Sequence, residues 1–303
     1  MQVFNKSMNK TKQIARSIGL LITASIMMSV ALISNSVTAQ PMTKVGGFEF
    51  DLTSVAKVDK GAGARVGKKS LKLTSILEKK KRRTESYYSS TNLEITRFDW
   101  RGQQVVSEFY WLSMPISYQQ KRANNYHLMF FVEPGLMTDL GTLSENHIGV
   151  NFNAKVRKYL GRSTTNYWQV GLISDRMFGN QDLRPLLAYA WRATPSTWIE
   201  LGFPKTSIEH RFSKTVNSFI RVRPEGGVWR YVVKGQKKDS TFNYRSVRVG
   251  AGMDFHWRAK AWLGFEIGQV RGASVSGVNN ANADIKAYLE NDKYWKVYAD
   301  LRF

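Results

Sequence analysis

Cysteine is absent from the 303 residues, which excludes a disulfide framework, a thiolate metal site and a cysteine nucleophile. Histidine is scarce, at four residues, and acids are outnumbered, with 23 Asp+Glu against 45 Lys+Arg for a net charge of +22. Long apolar runs are also lacking. The one conspicuous run, GLLITASIMMSVALI from Gly19 to Ile33, has 15 residues, short of the ~20 that cross a bilayer as a helix. Beyond Ala39 no segment approaches that length, so any membrane crossing by the remaining chain has to use strands. At 43% apolar and 13% aromatic, the composition is that of a folded chain and not of a disordered basic tail.

What is present at the start is an address. Lys6, Lys10, Lys12 and Arg16, with no acid among them, precede the apolar run, and SNSVTA follows it to Ala39. This order of basic, apolar and small residues predicts a secretory signal peptide over residues 1–39, cleaved after Ala39. Loss of those four charges would leave +18 on residues 40–303.

The rest of the chain alternates with period two, the signature of half-buried strands. From Val247 to Trp257 the odd positions carry Val247, Val249, Ala251, Met253, Phe255 and Trp257, and the even positions Arg248, Gly250, Gly252, Asp254 and His256. Leu263, Phe265 and Ile267 alternate in the same way with Gly264, Glu266 and Gly268, and Ile148, Val150 and Phe152 with Gly149, Asn151 and Asn153. Turn clusters such as RANN, TPST and PEGG separate the segments.

Alternation fits a soluble β-sandwich or a transmembrane barrel. The polar faces hold both signs beside glycines, and Arg248, Asp254, His256, Glu266, Lys296, Asp300 and Arg302 are the candidates for a lumen lined by ion pairs. Aromatics cluster near strand ends, as at Phe98 and Trp100, Phe109 to Trp111, Trp229 and Tyr231, and Phe255 and Trp257, where a barrel would set rings at the membrane interfaces. At 9–11 residues per strand, residues 40–303 accommodate about 12 strands with 10 or 14 left open. Residues 40–92 are less regular, and EKKKRR, with Lys79 to Arg83, reads as an exposed basic loop.

The final segment, DKYWKVYADLRF, places Trp295, Val297, Ala299, Leu301 and Phe303 on one face. Here the chain resembles the outer-membrane β-barrel proteins of Gram-negative bacteria, whose last strand ends in an aromatic residue after alternating apolar positions. The resemblance implies an antiparallel transmembrane barrel in the outer membrane, with Trp295, Val297, Leu301 and Phe303 as its assembly signal. It implies lipid, lipopolysaccharide and the barrel-assembly machinery as partners. A looser likeness, carried by WLSMPISY from Trp111, EPGLMTDL from Glu133 and the segments from Tyr167 and Ile199, is to an uncharacterised family of such barrels with a domain of unknown function.

Function is less legible. Ser207, Glu209 and His210 are neighbours in sequence, but strand alternation points His210 away from the other two. No nucleophile elbow, zinc motif, phosphate loop or dinucleotide fingerprint is present, so no catalytic, metal or cofactor-binding residue is nominated and no cofactor is expected. The leading expectation is a monomeric structural, adhesive or narrow-pore barrel that prefers anions if it conducts and binds no nucleic acid. The alternatives are a lipid-modifying barrel enzyme using His256 or His210, and a soluble periplasmic β-sandwich that binds a polyanion.

Overall fold

The computed structural model describes residues 44–58, 64–101, 108–141, 143–161, 165–232, 239–258, 260–278 and 283–302. The signal peptide and its cleavage point at Ala39 lie outside these residues, as does Phe303. Sixteen strands form one sheet: β1 (Lys44–Lys57), β2 (Arg65–Lys81), β3 (Glu85–Arg101), β4 (Glu108–Ser113), β5 (Ile116–Lys121), β6 (Tyr126–Thr138), β7 (Ile148–Tyr159), β8 (Tyr167–Ser174), β9 (Leu183–Arg192), β10 (Thr197–Phe203), β11 (Thr206–Arg211), β12 (Val216–Val232), β13 (Asp239–Arg258), β14 (Ala261–Val278), β15 (Asp284–Tyr288) and β16 (Asp292–Arg302).

Neighbouring staves pair antiparallel in sequence order, and β16 pairs with β1 from Lys44↔Arg302 to Thr53↔Tyr294, so the sheet closes on itself. A sandwich needs two separate sheets; this single cyclic sheet excludes it. β4 and β5 are two pieces of one stave, interrupted at Pro115, which has no N–H for the ladder. The stave survives because the Pro115 carbonyl accepts from Ser90 N–H, and Met114 N–H donates to the Pro134 carbonyl. β15 and β16 likewise make up the last stave, both against β14. The barrel therefore has 14 staves, not 12.

The two extra staves come from the segment read as less regular. Residues 65–101 form the long β2–β3 hairpin, and Glu78 to Lys81 of the expected basic loop are strand residues paired with Ser86 to Ser89. Only residues 82–84 make the turn. Chain is saved elsewhere, in β10 and β11 of seven and six residues. The expected average strand length concealed that unevenness.

A belt of apolar side chains faces outward. Leu112, Phe130, Val150, Val170, Leu187, Leu201, Ile208, Ile220, Val249, Phe265 and Val297 are each more than a third exposed, on strands from β4 to β16. On β13 this face runs from Val247 to Trp257 and gives way to Arg245 and Thr241 beyond. Connections are two to seven residues at the end that carries residues 44 and 302, here the near end. At the far end they are five to nine, apart from the two-residue turn Pro204–Lys205.

Inside, glycines make room for rings. A Cβ on Gly264 would collide with the ring of Tyr298, its register partner on β16, and one on Gly250 would collide with Tyr294. The tyrosines thus lie flat on a wall of bare backbone.

Candidate functional site

The interior has three parts, each built by residues that alternation turns inward. At the far end it is dry. Phe98 from β3, Phe109 and Trp111 from β4, Met137 from β6, Trp229 and Tyr231 from β12, and Phe242 and Tyr244 from β13 are almost wholly buried and form one cluster. Phe109 stacks on Trp229 with centroids 5.3 Å apart and on Phe242 at 4.9 Å. In a ring of 14 staves β4 and β12 stand opposite each other, seven steps apart either way. The barrel is pinched there until opposing walls touch. A single parallel bridge, Arg230↔Thr138, ties β12 to β6 across the gap, and Arg230 also donates to the Asn146 carbonyl. The rings that sequence position suggested for membrane interfaces at Phe98, Phe109, Trp111, Trp229 and Tyr231 are therefore a plug. Their strand ends extend past the apolar belt, so the inward face there has no water-filled lumen to line.

The pinch leaves β7 to β11 outside the far-end ring, and the β8–β9 connection folds over that side. Asp175 accepts from the Met177 N–H at 2.8 Å and starts a 3-10 turn over Arg176–Phe178. Arg176 reaches Glu94 on β3 and lies over the rings of Trp111 and Trp229, 4.8 and 5.4 Å away. Phe178 stacks on Phe203 at 5.5 Å. Burial in this connection pushes the Asp175 carboxyl up to about 6, with the Glu133 carboxylate adding in the same direction.

Below the plug lies a paired-charge layer. Arg248 forks onto Asp51, both nearly inaccessible, and its second nitrogen also donates to Thr53 at 3.2 Å. Lys68 meets Glu225 at 3.0 Å across the interior. Glu266 receives both terminal nitrogens of Arg223, at 2.8 and 3.1 Å, and the Tyr294 hydroxyl at 2.5 Å. Toward the near end Arg302 bridges Asp254 at 2.8 Å and Asp300 at 3.2 Å, Tyr298 also donates to Asp254, and Lys296 pairs with Glu49 at 2.7 Å. The His256 ring lies 5.0 Å from that of Trp262. Of the lumen candidates Arg248, Asp254, His256, Glu266, Lys296, Asp300 and Arg302, all sit on the inner wall, and their partners Asp51, Lys68, Arg223 and Glu225 were not singled out in the sequence. Lys68 in particular stood in the segment read as less regular.

A further buried carboxylate, Glu133 on β6, accepts from Asn92 at 3.0 Å, Ser113 at 2.7 Å and Asn151 at 2.8 Å, drawing four staves together. The third part is a cationic niche on the inner wall from β7 to β12. Here Lys205 stands 3.9 Å from Glu200 and 3.8 Å from Glu209, and Arg221 3.1 Å from Glu209. Arg157 donates to Gln169 and covers the Tyr167 ring at 3.9 Å.

No family model and no curated protein matches the chain. Among solved structures it is similar to an outer-membrane channel from Pseudomonas putida F1, with 11% identity over 90% of this chain and 100% of that one and a TM-score of 0.46. It is also similar to the translocator domain of the autotransporter NalP from Neisseria meningitidis, with 10% identity over 96% and 98% of the two chains and a TM-score of 0.38. A mutant porin of Rhodopseudomonas blastica gives 8% identity, 86% and 100% coverage and a TM-score of 0.28. All three are outer-membrane barrels. At these values the likenesses carry no weight, and the closed cylinder stands on its strand pairing.

The histidines and the terminal strand complete the placement of the candidates. His210 faces outward beside Thr197 at 2.9 Å, whereas Ser207 and Glu209 face inward. Trp295, Val297 and Leu301 share the outer face of β16, with Trp295 5.4 Å from Phe50 of β1.

Proposed function

We propose that the chain is an outer-membrane β-barrel protein with a sealed far end, structural or ligand-holding in role and not a standing pore. One observation carries this: from β4 to β16 the wall turns a belt of apolar side chains to the outside while the buried ion pairs lie within, the reverse of a water-soluble barrel. Water would not tolerate so continuous an apolar surface; hydrocarbon does. The near end, with its short turns and both strand termini, faces the periplasm, and the longer connections face the exterior, in the manner of bacterial barrels. Lipid and lipopolysaccharide surround the wall, and Trp295, Val297, Leu301 and Phe303 serve the assembly machinery as the terminal signal.

The stacked rings between β4 and β12 argue against the narrow anion-preferring pore, since a hydrated ion has no path through a dry aromatic core. Catalysis by His210 has little support from a side chain on the outer face. The test is fractionation followed by a detergent gel with and without boiling, then planar-bilayer recording. The expected result is recovery in membranes, a heat-dependent shift in migration and no steady conductance. Recovery in the detergent-free soluble fraction overturns the membrane reading, and a stable open current overturns the sealed end.

A further inference from the structure

The cationic niche is incompletely satisfied from within the chain. Three cations, Lys155, Lys205 and Arg221, together with Ser207, surround the two carboxylates Glu200 and Glu209. Among the described residues Lys155 makes no ion pair within 4 Å, although Arg157, Glu200 and Lys205 are its electrostatic neighbours, and it lies over the bare backbone of Gly171. The Ser207 hydroxyl, on a residue 1% exposed, and the Nε of Arg221 are buried with no hydrogen-bond partner among the described residues. Buried donors without acceptors are costly, so such a set calls for an acceptor supplied from outside. The adjoining inner wall carries the small residues Ala188, Ala190 and Gly202. Inward-facing His127, Met129 and Phe131, in register with Arg157, Lys155 and Asn153, retain partial exposure.

We propose that this niche binds a phosphate group, held by Lys155, Lys205, the Nε of Arg221 and the Ser207 hydroxyl. With Arg157 beside Lys155, four cations face the two carboxylates, and a tetrahedral dianion matches several convergent donors and neutralises that surplus of two, as a single carboxylate would not. The group is either free phosphate or the head of a lipid phosphomonoester. This rests on the barrel reading but not on the sealed end.

The full chain, folded in nonionic detergent, would be titrated with inorganic phosphate by calorimetry against sodium chloride of equal ionic strength. Saturable binding with one site is expected, weakened about tenfold by Lys155→Gln and left unchanged by Lys158→Gln on the outer face, a tenfold loss being typical of one charge-assisted contact. Ser207→Ala, which removes no charge, should weaken it by a smaller factor and serves if Lys155→Gln does not fold. Short-chain phosphatidic acid binding at least tenfold tighter than phosphate assigns a lipid source; equal affinity assigns free phosphate. Heat equal to that of chloride, or Lys155→Gln binding like wild type, overturns the site. Each variant's heat-dependent gel shift reports folding separately, so an intact barrel that ignores phosphate rejects the niche and leaves the membrane reading standing.

Discussion

At the scale of the residue, this molecule is governed by what a side chain meets when it is turned inward. Arg248 is buried, yet it sits against Asp51 and within 4.0 Å of Glu225, so its removal would strand two carboxylates in a low-dielectric interior. Arg248→Met should therefore cost about 3–5 kcal/mol in urea unfolding from micelles, and Arg248→Met with Asp51→Leu should recover most of it. Equal losses for the single and double variants would show that the pair is not what holds the layer. Asp175 supplies a pH dependence. Its folded pKa of about 6 lies above the unfolded value near 4, so the native state binds the extra proton between those values. Stability from this group is present at low pH and lost as pH rises through 6. After correction for intrinsic rates, amide exchange across residues 176–179 should be slower at pH 5 than at pH 7.5, and Asp175→Asn should abolish the difference.

At the scale of the element, uneven strand length does the shaping. Long β12 and β13 overreach the short β10–β11 hairpin and lean across to β4 and β6, and the aromatic plug is the result. Phe109→Ala combined with Trp229→Ala removes the stack between opposing walls. Each truncation should cost about 3–5 kcal/mol, and the pair should admit steady single-channel current where the wild type passes none. A silent double variant that still folds would mean that another layer, such as the bridge from Lys68 to Glu225, blocks the way. Alternation made β7, β13, β14 and β16 readable because each carries an unbroken apolar run on one face. β2 was not, since Lys68, Lys69, Lys72 and Lys79 to Lys81 resemble a solvated run. Burial of Lys68 becomes tolerable only through Glu225, 157 residues away.

At the scale of the whole molecule, the proposed orientation has a clean test because the chain has no cysteine of its own. Leu143, exposed in the far-end connection, and Lys214, in a near-end turn, are each replaced singly by cysteine. On intact cells an impermeant maleimide should label Leu143→Cys, and Lys214→Cys only after permeabilisation; the opposite pattern would invert the barrel. Closure of β1 on β16 joins residues some 250 positions apart and was foreseen only through the likeness of the terminal strand to those of known barrels. The interior cluster from β3, β4, β12 and β13 had no such signal, for an inward ring and an interfacial ring look alike along a strand.

The sequence by itself determined the strand period, the apolar outer face and the sidedness of Arg248, Asp254, Glu266 and Arg302, because side-chain direction in a strand alternates whatever the partner. Only the tertiary structure decided the 14 staves, the pinched far end and the pairing of each charge. Those depend on which distant strands the closed sheet sets opposite one another, and no local pattern encodes a distance across the interior.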